Sequence, residues 1–133
     1  MKYKETNHWE IILHPNQYYL GYSVIVLKRK CRHLSGLKKE EVLDFFKIVK
    51  KFEATLKKVF GATMFNWTCL MNDSHKEDKP PAQVHWHVRP RYKNEIKFAG
   101  QTFHDKVFAH HYDKTKKKKV SKKILEQIAE KIK

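Results

Sequence analysis

Between Lys38 and Phe60 the residues Val42, Phe45, Phe46, Val49, Phe52, Leu56, Val59 and Phe60 recur at intervals of three and four. That is the period of a helix with one apolar side. Glu40 and Glu41 stand in its first turn, Lys57 and Lys58 in its last, and Gly61 follows, so charge and capping agree with those ends. Strand signals flank it. Trp9 to His14 reads as a strand and Pro15-Asn16-Gln17 as a turn; Tyr18 to Lys28 reads as a strand pair or one strand broken near Gly21. After the helix, Thr63 to Met71 reads as a strand with Phe65, Trp67, Cys69 and Met71 on one face, ending in the turn-prone Asn72-Asp73-Ser74.

A polar loop over 74–82 leads to a strand over 83–89 that Pro90 stops, because proline cannot donate to a ladder. Residues 92–113 read as irregular. Ser121 can cap a last helix whose Ile124, Leu125, Ile128, Ala129 and Ile132 form one stripe. Strands, helix, strands and helix with hairpin-like connections predict an α+β fold: an antiparallel sheet with a long amphipathic helix and a C-terminal helix.

The chain has 133 residues, 41% of them hydrophobic and 13% aromatic, which fits one compact domain. The expected organisation is a domain over 1–113, with a basic linker and helix over 114–133 packed on it. No apolar run approaches membrane-spanning length, and Met1 to Thr6 lacks the apolar segment of a secretory signal. A cytoplasmic protein without a membrane partner is expected. Cys31 and Cys69 form no CxxC pair and no disulfide framework, and no nucleophile signature surrounds Cys31 and His33, so both thiols read as structural.

Net charge is +15, which draws polyanions. Residues Lys114 to Lys133 hold nine lysines and two glutamates. Within them Lys116-Lys117-Lys118-Lys119 reads first as a solvated linker and only second as a nonspecific polyanion contact, because no aromatics are interleaved on which bases could stack.

The chemistry concentrates in Gln83-Val84-His85-Trp86-His87-Val88-Arg89-Pro90-Arg91. Alternation turns Val84, Trp86 and Val88 to one face and Gln83, His85, His87 and Arg89 to the other. Three readings compete for that row. Two imidazoles at i and i+2 can ligate a metal, but a third ligand is missing and the flanks are cationic. A neutral imidazole can attack phosphorus, with Asn72 and neighbouring donors on the phosphoryl oxygens. Alternatively Arg89 and Arg91 can bind an anion with no chemistry. Bland readings stand beside these. Asn72 is a natural turn former, His14 is a turn starter before Pro15, and His104, His110 and His111 read as surface residues without a role.

The same segment resembles the signature of the histidine triad family, His-φ-His-φ-His-φ-φ followed by Pro-Arg, with φ apolar. Upstream, Gly21 to Arg29 looks like the family's Gly-His strand, residues 38–60 fall where its long helix belongs, and Met71-Asn72-Asp73 resembles the Asn or Gln before the triad. The resemblance covers about residues 8–92 and points to the diadenosine polyphosphate hydrolase-like branch. It implies an α+β fold, a homodimer, and hydrolysis or transfer of nucleotides from dinucleoside polyphosphates or nucleoside phosphoramidates with no cofactor or metal in the covalent step.

By position, the resemblance makes His85 the nucleophile and His87 a phosphate contact. Asn72, Gln83 and Arg89 become substrate-binding residues, His14 lies near the ribose, and Ile12 and Leu13 are candidates for the base pocket. Gln83 stands where the first triad histidine is expected, Tyr22 where a histidine follows Gly21, and Arg89 where an apolar residue is expected. The implied function is a nucleotide hydrolase or nucleotidyl transferase. The alternative is a non-catalytic nucleotide- or nucleic-acid-binding module with a degraded triad.

Overall fold

The computed structural model describes residues 1–77 and 81–133. In chain order these form β1 (Lys2–Glu5), β2 (Trp9–Leu13), β3 (Ser23–Leu27), α1 (Lys39–Phe60), β4 (Met64–Thr68), α2 (Asp73–Glu77), β5 (His85–Arg91), β6 (Ile96–Phe98), β7 (Gln101–Phe103) and α3 (Lys122–Ile132). The main sheet has the order β1-β2-β3-β5-β4, antiparallel throughout, and β6 and β7 form a separate hairpin. The fold is therefore α+β, with the long helix and the C-terminal helix that the sequence predicts. Among the described residues no helix is long and apolar enough to cross a membrane.

Strands β2 and β3 alternate in the way their sequence alternates. Trp9, Ile11, Leu13, Ile25 and Leu27 are buried on one face. Helix α1 covers that face. Phe45 packs on Trp9 and Trp86, and Phe52 meets Phe65 and Trp67 edge-on. Ile128, Ala129 and Ile132 of α3 enter the same core, each large aliphatic side chain contributing about 1.5–3 kcal/mol of burial.

The start of α1 is fixed by Glu41, which accepts from the Lys38 N–H at 2.7 Å and from Arg29 Nε and Nη2 at 2.9 Å each. Its end is Gly61, whose φ of +74° closes the last turn. The apolar residues of α1 do not all face inward. Val42, Leu43 and Phe46 remain 48%, 54% and 58% exposed, so the helix carries a second, outward apolar patch.

Several local expectations are corrected. Residues 18–21 form a turn rather than a strand, and Gly21 is required there. Its φ is +89°, and a Cβ would lie 2.6 Å from Leu56 Cδ1. Strand β4 stops at Thr68, and 73–77 is a short helix rather than a turn; the Pro80 end of the expected polar loop lies outside the described residues. Pro90 does not stop the histidine strand. Pairing of β3 with β5 ends at Ser23 opposite Val88, so Pro90 has a strand neighbour only on the β4 side, opposite Phe65, where a missing N–H is tolerated. Strand β1 and the β6–β7 hairpin are additional elements, too short to show a period.

The segment 113–119 is not a free linker. Asn16 Oδ1 accepts from the Lys118 N–H at 3.0 Å, the Gln17 N–H donates to the Lys118 carbonyl at 2.9 Å, and Asn16 Nδ2 donates to the Lys116 carbonyl at 3.0 Å.

Candidate active site

The sheet face opposite α1 carries the chemistry. In the β-register His85 stands opposite Val26, and His87 stands opposite Val24 on one side and Thr68 on the other. The two imidazoles are 5.1 Å apart and nearly perpendicular. On the reverse face of β5, Val84 and Val88 are fully buried and Trp86 stacks on Phe45 at 4.9 Å, so the strand is clamped from behind. A cleft of about 480 Å³ brings together His85, His87, Asn72, Gln83 and Arg89 over an apolar wall that includes Val24 and Val26.

Each imidazole is held in one tautomer, and the two are opposite. His85 Nδ1 lies 2.7 Å from the Gln83 carbonyl. A carbonyl only accepts, so Nδ1 carries a hydrogen, and in the neutral ring Nε2 has the lone pair. His87 Nδ1 lies 2.6 Å from the Tyr22 hydroxyl, whose oxygen also accepts from Arg89 Nη2 at 3.0 Å. The arrangement that satisfies all three groups has Tyr22 donating to His87 Nδ1, which leaves the hydrogen on Nε2. The row thus offers one ring lone pair from His85 and one ring N–H from His87. Burial above all, then the nearness of the His85 ring and the Arg89 charge, push the His87 pKa down to about 4, so that ring is neutral at pH 7.

Arg89 is buried between two aromatic faces, its guanidinium 4.4 Å from the Tyr22 ring centroid and 3.9 Å from that of Tyr112. Tyr22 itself is nearly buried, which raises its hydroxyl pKa against the opposing pull of Arg89. Thr68 also lines the cleft, and among the described residues its buried Oγ1 has no hydrogen-bond partner.

Three sequence assignments are revised. The Gln83 side chain is committed to the backbone: Nε2 donates to the Leu27 and Arg29 carbonyls at 2.6 and 2.8 Å, and Oε1 accepts from the Cys31 N–H at 3.0 Å. What Gln83 offers the site is its carbonyl, on His85. Arg91 is fully buried and ion-paired to Asp105 at 2.7 Å, with further bonds to Asn66, Val107 and His110, so it is not an anion contact. Leu13 belongs to the core and cannot line a base pocket.

His14 does not enter the histidine cleft. It stacks on Tyr22 at 4.3 Å, accepts from the Asn16 N–H at 3.0 Å, and lines a neighbouring cavity that shares Arg89. Asn72 sits exposed on the cleft wall, beside the first turn of α2. Among the described residues no group of three or more histidine, cysteine or carboxylate side chains could hold a metal ion.

Tyr22, Thr68 and Tyr112 join the site without having been assigned to it. For Tyr22 a signal existed, since it occupies the position after Gly21 where a histidine is expected. For Tyr112, in a segment without periodicity, there was none.

An antiparallel sheet presenting a histidine-x-histidine strand on its open face, with one long helix behind it, defines a histidine-triad-type fold. Residues 2–94 match the HIT domain, and the chain belongs to the histidine triad family, a nucleotide-binding and hydrolase fold. A histidine triad protein of Marinobacter aquaeolei VT8 is similar over 99% of this chain and 85% of its own, at 15% identity and a TM-score of 0.72. One of Sinorhizobium meliloti 1021 is similar over 99% and 86%, at 16% identity and a TM-score of 0.72. The Plasmodium falciparum diadenosine triphosphate hydrolase is similar over 98% and 70%, at 17% identity and a TM-score of 0.60. At these identities the likeness is one of fold. No curated protein matches the chain.

Proposed function

We propose that the chain is a nucleotide hydrolase or nucleotidyl transferase acting at the α-phosphorus of dinucleoside polyphosphates or nucleoside phosphoramidates, through a nucleotidyl intermediate on His85. The observation that carries this reading is the pair of Nδ1 contacts, His85 on the Gln83 carbonyl and His87 on the Tyr22 hydroxyl, from which a lone pair on His85 Nε2 and a hydrogen on His87 Nε2 follow for neutral rings. Attack forms a bond from His85 Nε2 to phosphorus and breaks the bond to the leaving group, which departs as a phosphate or takes a proton from solvent as an amine.

The ring becomes cationic on attack, and the Gln83 carbonyl on Nδ1–H stabilises that charge. The His87 N–H, Arg89 and Asn72 serve the phosphoryl oxygens. Water then attacks phosphorus, the bond to Nε2 breaks, one proton leaves to solvent, and the neutral ring returns.

Rapid mixing with diadenosine triphosphate, a denaturing alkaline quench and peptide mass spectrometry test this. One nucleoside monophosphate is expected on the peptide containing His85, none in His85→Asn, and reduced labelling in His87→Asn. If wild type binds nucleotide but neither turns it over nor carries an adduct, the binding-module reading replaces this one.

The same reading carries a homodimer. Strand β4 is an open edge of the sheet, and Leu43 and Phe46 on α1 present exposed apolar surface of the kind that pairs with a second copy.

A further inference from the structure

Beside the histidine cleft lies a second cavity of about 580 Å³, within the roughly 300–1,000 Å³ of small-molecule sites. One wall is His14, Tyr22 and Arg89; the other is the pinned strap, with Lys114, Lys116, Lys117 and Lys119. Pinning by Asn16, Gln17 and the Tyr19 hydroxyl, which accepts from the Asp113 N–H at 2.8 Å, fixes which lysines point where. Lys118 turns away, its ammonium 5.4 Å from the Phe103 ring centroid. Among the described residues none of the four lining lysines has a salt bridge to a carboxylate. Asp113, the one acid on the wall, is engaged by the Thr115 N–H and hydroxyl at 2.9 and 2.6 Å. The two cavities are neighbours, with Arg89 and Lys114 in the lining of both.

We propose that this second cavity is an oligophosphate subsite, which holds the distal phosphates of a leaving group while the α-phosphorus stands at His85. The assignment of reaction centre rests on the function proposed above; the subsite itself does not. Four ammonium groups without an ion pair among the described residues, and a guanidinium, beside the reaction centre favour a leaving group that carries several negative charges over one that carries few. The chain therefore discriminates by the charge of what leaves: kcat/KM rises with the number of phosphates beyond the first, and an uncharged amine leaving group gains nothing from the lysines.

The test is the variant Lys116→Gln/Lys117→Gln/Lys119→Gln. All three lysines are exposed, so its thermal unfolding should match wild type. Inorganic tripolyphosphate binding by calorimetry should weaken about tenfold, three exposed ion pairs each contributing modestly, and the loss should shrink as salt is raised. Turnover of diadenosine tetraphosphate should fall by a similar factor in kcat/KM, with adenosine 5′-phosphoramidate unchanged. Equal tripolyphosphate binding by wild type and variant overturns the subsite. So does a uniform loss on both substrates, which would make the strap a general support. If no nucleotide is turned over by wild type while tripolyphosphate binding still depends on the three lysines, the reaction reading falls and the subsite stands. If a single-stranded 5′-phosphorylated oligonucleotide binds more tightly than tripolyphosphate and depends on the same lysines, the occupant is nucleic acid and the small-molecule subsite is overturned.

Discussion

Replacing Tyr22 by phenylalanine removes one oxygen atom and leaves the rest of its surroundings intact. The ring still stacks on His14 at 4.3 Å and still lies under Arg89 at 4.4 Å. What disappears are two hydrogen bonds, 2.6 Å to His87 Nδ1 and 3.0 Å from Arg89 Nη2. The first holds His87 in the tautomer that turns its N–H toward phosphate, and the second anchors the guanidinium. A buried group left without its partner loses about 1–3 kcal/mol. At about 1.4 kcal/mol per factor of ten, the expected fall in kcat is roughly 5- to 150-fold.

Tyr22 lies behind the imidazole and not on the histidine cleft, so KM for adenosine 5′-phosphoramidate should change little. Side-chain nitrogen NMR reads the cause directly. Wild type should show His85 protonated on Nδ1 and His87 on Nε2, and Tyr22→Phe should turn His87 into a mixture while leaving His85 alone. A wild-type His87 protonated on Nδ1, or an unchanged kcat in a Tyr22→Phe protein with a scrambled tautomer, would refute the reasoning.

Because the His87 pKa falls from 6.5 to about 4 on folding, the unfolded chain takes up a proton that the folded site refuses. Stability should therefore drop as pH falls from 6.5 to about 4 and flatten below; in His87→Gln the urea midpoint should lose less across that window, and an equal loss would count against the assignment. Asp105→Asn strands the fully buried Arg91 and should cost about 3–5 kcal/mol by urea denaturation, whereas a stable variant with weakened nucleotide binding would return Arg91 to the site. Wild type should scatter light as a dimer and Phe46→Lys as a monomer; a monomeric wild type at high concentration would remove the β4 edge and α1 patch from the proposed interface.

Periodicity carried the fold where segments were long. The boundaries of α1 and the Ser121 cap of α3, whose hydroxyl accepts from the Ile124 N–H at 3.2 Å, were legible because each combines an apolar repeat with end chemistry. Strand β1 and the β6–β7 hairpin span three or four residues each, too few for a pattern to rise above composition. In the site, alternation alone placed His85 and His87 on one face. It could not see that Gln83, next in the same row, would turn its amide into the backbone of the β3 exit, because that depends on a contact across more than fifty residues of chain. Nor could it tell Arg89 from Arg91, two residues apart on one strand. One lies between aromatic rings at the cleft and the other is sealed against Asp105, and only the packing of 103–113 separates them. The side chains of Lys116, Lys117 and Lys119 are exposed, as the run reads in sequence, but the pinning of its backbone could not be read because Asn16 and Gln17 are remote in sequence.

The contact between Leu56 and Gly21 ties the back of the molecule to its front. Leu56 is fully buried on the inner face of α1 and occupies the space a side chain on residue 21 would need; the next residue is Tyr22. A hydrocarbon on the far side of the sheet thereby borders the turn from which the tyrosine oxygen reaches His87. Trimming Leu56 to alanine would loosen the floor beneath that oxygen without touching a polar atom. If the turn moves with it, the tautomer of an imidazole on one side of the sheet should answer to the packing of oil on the other.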